Sequence, residues 1–255
     1  MNDELLCEVR DAALYLTINR PERRNAITQG VLQGLRDGIL RANRDADIRA
    51  VIITGAGEQA FCAGADLHTG KSFRFDYADP YQGMADLFRC ARQSTVPLIA
   101  RVNGACMAGG MGLMAMCDLA IASEGAFFGL PEVNVGLFPA QVLSVLQHLL
   151  PRRRLTELCL CGERISAREA LAAGLVNYVS DDLDAEMDRL LARMLNKSPA
   201  AIRRGLYTLK HMETMSFEQS MAFTESQIGL FALTDDAREG QLAFREKRQP
   251  MWTGR

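Results

Sequence analysis

Apolar and polar positions along this chain follow two periods. "LLCEV" and "AALYLTIN", parted by Arg10 and Asp11, predict an edge hairpin, and "RAVIITGAG" predicts a buried strand ending in glycine. Between them "RPERRNA" reads as a loop. Thr28 then caps a stretch to about Asp45 in which Val31, Leu32, Leu35, Ile39 and Leu40 fall at helical spacing. "EQAFCAGADLHTG" is loop-like but rich in small apolar residues, residues 71–80 read as a mobile insertion, and a helix is predicted from Tyr81 to about Ser94. Pro97 precedes the strand "LIARV", and "DLAIAS" is a further strand. "AQVLSVLQHLLP" predicts a helix ended by Pro151, and "RRRLTELCLCG" one stopped by Gly162. "SAREALAAGLV" predicts a short helix with Ser166 at its cap and Gly174 past its end. After a last strand, "NYVS", everything from about Asp182 is helical. The pattern predicts one α/β core followed by an all-helical portion, with no repeat period and no low-complexity linker.

One stretch sits badly in this pattern. "GACMAGGMGLMAMCDLA" follows an apolar strand and continues as a helix, yet it carries Gly109, Gly110 and Gly112 within four residues. Glycine in a helix costs about 1 kcal/mol relative to alanine. Such a cluster is either a close packing site or a helix start whose bare N–H groups and positive dipole end receive a ligand oxygen. The glycines taken alone fit both readings.

Composition narrows the classes. Of 255 residues, 48% are hydrophobic and 24% charged, with 29 basic against 31 acidic side chains and a net charge of −2. Such balance predicts neither a nucleic-acid nor a membrane-surface partner. Seven cysteines lie scattered in apolar segments without a C-x-x-C pair, which predicts reduced, buried thiols and no metal site. The opening "MNDELLCEVR" has neither a basic nor an apolar leader region, and no run of about 18 apolar residues occurs, so a cytoplasmic protein is expected. "ITGAGEQA" nearly spells a dinucleotide-binding turn. Its context excludes that: no amphipathic helix follows, and no acidic residue ends a second strand about 20 residues on.

Several ordered motifs together are more specific. "FCAGADL" at 61–67, "VNGACMAGGMGL" about forty residues on, "FGLPEVNVGLFP", the early "NRPERRNA", "GERISAREALAAGLVNYV" and the terminal "EGQLAFREKRQPMW" resemble the crotonase, or enoyl-CoA hydratase/isomerase, superfamily over nearly the whole chain. The resemblance implies a spiral of ββα units over residues 1–195. It also implies a helical C-terminal region over 196–255, within the same structural unit, that assembles a homotrimer or a dimer of trimers. The substrate it implies is an acyl-CoA thioester, with no cofactor beyond the coenzyme A the substrate carries. By the same likeness the backbone N–H groups of Ala65 and Gly109 form an oxyanion hole for the thioester carbonyl. Enolate formation puts negative charge on that oxygen, and removing one such donor typically costs about 2.7–4 kcal/mol. Coenzyme A would lie along "RPERRNA" and "AFCAGADL", with backbone contacts from Ala63, Ala65 and Leu67. Arg23, Arg24 and Lys247 are candidates for its phosphates and Phe244 for its adenine, each set against a solvated or core position.

The acid–base residues depart from the family pattern. Family hydratases use two glutamates. One follows the proline of a "PE" turn and is present as Glu132; the other sits three residues after the oxyanion-hole glycine, where this chain has Gly112. Hydration activates water and delivers a proton to Cα, which two carboxyl groups share. Moving a double bond from the 3- to the 2-position needs one base that carries a proton from Cα to Cγ. A lone Glu132 with a pKa raised by an apolar pocket suits the second task. Replacing Gly112 by Glu is then expected to raise hydration at least tenfold, or about 1.4 kcal/mol. No obvious side chain stands in for the missing acid. Asp66, also a candidate contact to coenzyme A in its segment, reads as fixing its loop, and Asp118 as capping the turn after the glycine-rich helix. His68 reads as surface and Cys106 as packing. The expected activity is therefore single-glutamate isomerisation, with hydration of reduced or different efficiency as one alternative and a non-catalytic acyl-CoA-binding protein as another. A segment at Lys71–Pro80 that closes over substrate is left open.

Overall fold

Strand β1 (Leu5–Arg10) pairs antiparallel with β2 (Ala13–Ile18) across a turn in which Asp11 and Ala12 both take positive φ, the sign pattern of a type I′ hairpin. The Thr28 hydroxyl accepts the Val31 N–H at 3.1 Å and starts α1 (Gln29–Arg44), which buries Val31, Leu35 and Ile39 against the sheet. There follow β3 (Ala50–Gly55), β4 (Ala60–Cys62), α2 (Gly83–Gln93), β5 (Leu98–Val102), β6 (Ala105–Met107), α3 (Gly109–Ala115), β7 (Leu119–Ser123) and β8 (Phe127–Gly129). A 3-10 turn over Pro131–Val135 leads to α4 (Ala140–Leu146), α5 (Arg152–Cys161), β9 (Arg164–Ser166), α6 (Ala167–Ala172) and β10 (Tyr178–Ser180). The computed structural model describes residues 3–66 and 83–255. Leu67, His68 and the Lys71–Pro80 segment expected to be mobile therefore lie outside the described residues.

The strands form two sheets. A six-stranded sheet runs β1-β2-β3-β5-β7-β10, parallel from β2 onward, and a four-stranded sheet runs β4-β6-β8-β9. Each of β3, β5 and β7 is followed at once by its short neighbour β4, β6 or β8 in the other sheet, and then by helix. The chain thus winds as the expected succession of ββα turns. The long strands are buried on both faces, as parallel strands covered by helices are. Helix α7 (Leu183–Leu195) closes the second face of the large sheet with Leu183, Met187, Leu190 and Leu191. Helices α8 (Pro199–Met212), α9 (Phe217–Ala232) and α10 (Asp235–Glu246) pack mainly on one another. Among the described residues no helix is long and apolar enough to cross a membrane.

Three expectations change in detail. The helix beginning at Ala140 stops at Leu146 rather than Pro151. The N–H groups of Leu149 and Leu150 both turn back to the Leu146 carbonyl, and Pro151, extended at ψ 135°, becomes the N-cap of α5. The loop-like "EQAFCAGAD" contains strand β4. Asp118, expected to cap the turn after the glycine-rich helix, instead ties three elements together. One carboxylate oxygen accepts the Leu98 N–H at 2.8 Å and the other the Lys210 ammonium at 2.8 Å. Lys210 also donates to the carbonyls of Ala91 and Ser94, so one cation closes the C-terminal end of α2, holds the start of β5 and docks α8.

Both members of that pair are largely buried, so Lys210→Met leaves an uncompensated carboxylate and is expected to lower unfolding free energy by about 3 kcal/mol, read from urea denaturation. A loss below about 1 kcal/mol would show that α8 docks without it.

Candidate active site

Strands β4, β6 and β8 are parallel neighbours, so their carboxyl ends open on one edge, the end of a parallel sheet where ligands bind in α/β folds. Three candidate segments leave from that edge: Gly64–Ala65 after β4, Ala108–Gly109 after β6, and Pro131–Glu132 after β8. The Ala108 N–H donates to the Gly129 carbonyl at 2.9 Å and fixes the second segment to the third. The first and second touch through glycine. Gly64, at φ +97°, stands where an added Cβ would lie 2.8 Å from Ala108 Cβ and 3.3 Å from the Gly109 nitrogen. A Cβ on Gly110 would lie 2.2 Å from the Cys62 carbonyl oxygen, so only glycine lets the first turn of α3 meet the end of β4.

The backbone orients the two predicted donors. The Ile27 N–H donates to the Gly64 carbonyl at 2.8 Å and the Ile27 carbonyl accepts the Asp66 N–H at 3.1 Å. In this parallel bridge the intervening Ala65 turns its own N–H away from Ile27. Gly109 is the first residue of α3, and its N–H has no carbonyl one turn back. Among the described residues neither amide has an acceptor. Ala108, the N-cap, holds φ 51° and ψ −124°, a strained backbone for a residue with a side chain.

Glu132 is the acidic residue of the 3-10 turn. It is half-buried, and its Oε2 is buried with no hydrogen-bond partner among the described residues. Burial raises its pKa above the ordinary 4.5, opposed by a hydrogen bond from its own backbone amide. A carboxyl in this state holds a proton more readily than a solvated one and has a free oxygen with which to exchange it.

Gly112 lies inside α3, and its neighbours explain the absence of a side chain. A Cβ there would lie 2.6 Å from Phe88 Cζ and 3.1 Å from Val142 Cγ2. The simple expectation that Gly112→Glu restores a second acid therefore changes, because the ring occupies the place the new side chain must enter.

The remaining candidates separate. The Ala63 N–H is engaged by the Arg24 carbonyl at 3.0 Å, which leaves its carbonyl for contact. Asp66 is buried and ion-paired with Arg20 at 2.8 Å; Arg20 also donates to the Ala26 carbonyl at 2.7 Å and meets Glu4. Asp66 thus fixes the loop that carries Ala65. Arg23 and Arg24 are exposed on the first loop, and Arg24 lines an open groove of about 650 Å³ with Pro21, Glu58 and Gln59. Phe244, 86% exposed, and Lys247, the left-handed C-cap, sit on α10, which packs on α8 and α9. Cys106 is buried, its thiol pushed well above the usual range by desolvation, in keeping with packing. Sequence reading missed Arg20, whose partner lies 46 residues on, and Phe88, whose only signal is its spacing of one turn from Met84.

A sequence model of the family described as Enoyl-CoA hydratase/isomerase matches residues 8–255. Enoyl-CoA hydratase EchA19 of Mycobacterium tuberculosis is 35% identical, over 99% of this chain and 97% of its own. The 2,3-dehydroadipyl-CoA hydratase of Escherichia coli is 33% identical over 99% of both. The crystal structure of enoyl-CoA hydratase of Mycobacterium smegmatis matches with a TM-score of 0.92 at 31% identity, covering 98% of each chain.

The raised pKa of Glu132 carries a stability signature. The folded state holds its proton more tightly than the unfolded chain, so ionisation penalises the folded state. That penalty is absent below the unfolded value, near 4.5, and complete above the raised folded value. Glu132→Gln is expected to raise the melting temperature at pH 7.5, with the gain shrinking as the pH falls toward and below 4.5. A gain that persisted at acid pH would show that ionisation of this carboxyl is not its source.

Proposed function

We propose a single-glutamate double-bond isomerase, from the premise that the chain belongs to the enoyl-CoA hydratase/isomerase family. The substrate is a 3-enoyl-CoA thioester and the product the 2-enoyl isomer. The observation that carries this reading is the buried Oε2 of Glu132, without a partner among the described residues, on the sheet edge that also presents the amides of Ala65 and Gly109, likewise without acceptors among them.

In this mechanism the two amides donate to the thioester carbonyl oxygen as charge develops on it. Glu132 takes a proton from Cα, and the electrons of that C–H bond delocalise into the carbonyl and the adjacent double bond as a dienolate. The same carboxyl then returns the proton to Cγ, which leaves the double bond between Cα and Cβ. One group thus serves first as base and then as acid. The coenzyme A portion lies along the Arg23–Arg24 loop and the carbonyl of Ala63. Phe244 and Lys247, at the end of α10, are proposed to complete its site, and a trimer is proposed as the assembly. The exposed apolar side chains of α9, with Phe217, Ile228 and Leu233 each at least 66% exposed, support such an assembly.

A second reading, hydration of 2-enoyl-CoA, is favoured by the hydratase names of the relatives. One assay set decides. The protein is offered 3-enoyl-CoA and 2-enoyl-CoA beside its Glu132→Gln variant. Isomerisation is expected and should fall by about 10²–10⁴-fold in the variant, with thioester binding retained. Isomerisation that survives the substitution removes Glu132 from the mechanism. Saturable thioester binding without turnover of either substrate would leave an acyl-CoA-binding protein.

A further inference from the structure

The glycine at 112 and the ring that covers it form one device. Helix α2 presents Met84 and Phe88, one turn apart, to α3. Met84 Cε lies 3.3 Å from where a Cβ on Gly109 would stand, and Phe88 Cζ lies 2.6 Å from the corresponding point on Gly112. Val142 of α4 completes the contact at 3.1 Å. Phe88 is 8% exposed and belongs to the main core, so its ring is held by packing and not by chance of rotamer. The volume above Gly112, on the helix that begins with the Gly109 donor, is therefore filled by hydrocarbon.

We propose that Phe88, backed by Val142, is a specificity-determining residue that excludes water from the Gly112 side of the acyl site, and so keeps the 2-enoyl thioester from taking up water at Cβ while proton transfer through Glu132 proceeds. The proposal rests on the single-glutamate reading. Hydration adds a hydroxyl to Cβ and a proton to Cα of a 2-enoyl thioester, and it needs a water held and polarised beside Cβ. An aromatic ring offers no acceptor for that water's proton and leaves no room for it. Loss of hydration is then a property of two residues, and restoring one alone does not restore the activity.

A four-way comparison tests this: the unaltered protein, Gly112→Glu, Phe88→Ala and the double variant, each assayed for 3-hydroxyacyl-CoA formed from 2-enoyl-CoA and checked for fold by melting and by thioester binding. Phe88→Val replaces Phe88→Ala if the smaller side chain prevents folding. Each single variant is expected to hydrate within about threefold of the unaltered protein, and the double at least about tenfold faster than either, because the two positions are in contact. Gly112→Glu reaching that gain by itself overturns the proposal. So does a folded, thioester-binding double variant that hydrates no faster than the singles, or an unaltered protein that already hydrates as fast as the double. Isomerisation that survives Glu132→Gln would instead defeat the single-glutamate reading, while the four-way hydration comparison still decides the role of Phe88.

Discussion

The close approach of α3 to β4 is the constraint on which the site depends. Gly110 meets the Cys62 carbonyl where a single methyl group would lie 2.2 Å from the oxygen, and a methyl group on Gly64 would lie 2.8 Å from Ala108 Cβ and 3.3 Å from the Gly109 nitrogen. The Cys62 carbonyl is backbone of β4, which cannot withdraw without disturbing its pairing with β6. The glycines therefore set the distance between two peptide segments, and that distance decides whether Ala65 and Gly109 can serve one oxygen atom. Preorganised donors are effective because the protein has oriented them before charge appears. Here the orientation comes from the β-bridge at Ile27 for Ala65 and from the start of a helix for Gly109.

Buried carboxylates are treated in two ways. Those of Asp66 and Asp118 are each held by a cation, Arg20 or Lys210; the first pair fastens the loop that carries Ala65, and the second docks α8 on the start of β5. Glu132 has been left without such a partner among the described residues, at the cost of a desolvated carboxyl. A cation beside it would lower its pKa and make it a poorer proton carrier. These two carboxylates are thus neutralised by arginine or lysine, and Glu132 is set apart by lacking either among the described residues.

Much of this was legible in the chain, and the rest was hidden for identifiable reasons. The long strands and capped helices announce themselves through period and punctuation: Ser166 with Glu169 forms the capping box that "SAREALAAG" implies, and Gly162 and Gly174 take the positive φ expected past a helix end. Strands β4, β6, β8 and β9 are three residues each and show no period at all. Yet three of them carry the candidate site. The motifs that resemble the crotonase superfamily pointed to Ala65, Gly109 and Glu132 as candidates where propensity was silent. Non-local chemistry stayed invisible: the Arg20–Asp66 pair spans 46 residues, and nothing about Phe88 in an amphipathic helix reveals that its ring stands over Gly112.

That last contact alters the meaning of Gly112. Read from the sequence, the residue is a deletion, a carboxylate lost and a function weakened. Read in three dimensions it is an exchange, because the space has been taken by Phe88 and Val142 and the helix buried tightly beneath them. An empty polar pocket would fill with water and leave a route to addition; a filled apolar one does not. Under the proposed mechanism the same hydrocarbon would lower the local dielectric beside the helix that begins with Gly109 and strengthen that donor. On the proposed reading the absent glutamate and the present phenylalanine push the chemistry in the same direction, and the pair, not either residue, is the unit on which selection for proton transfer would act.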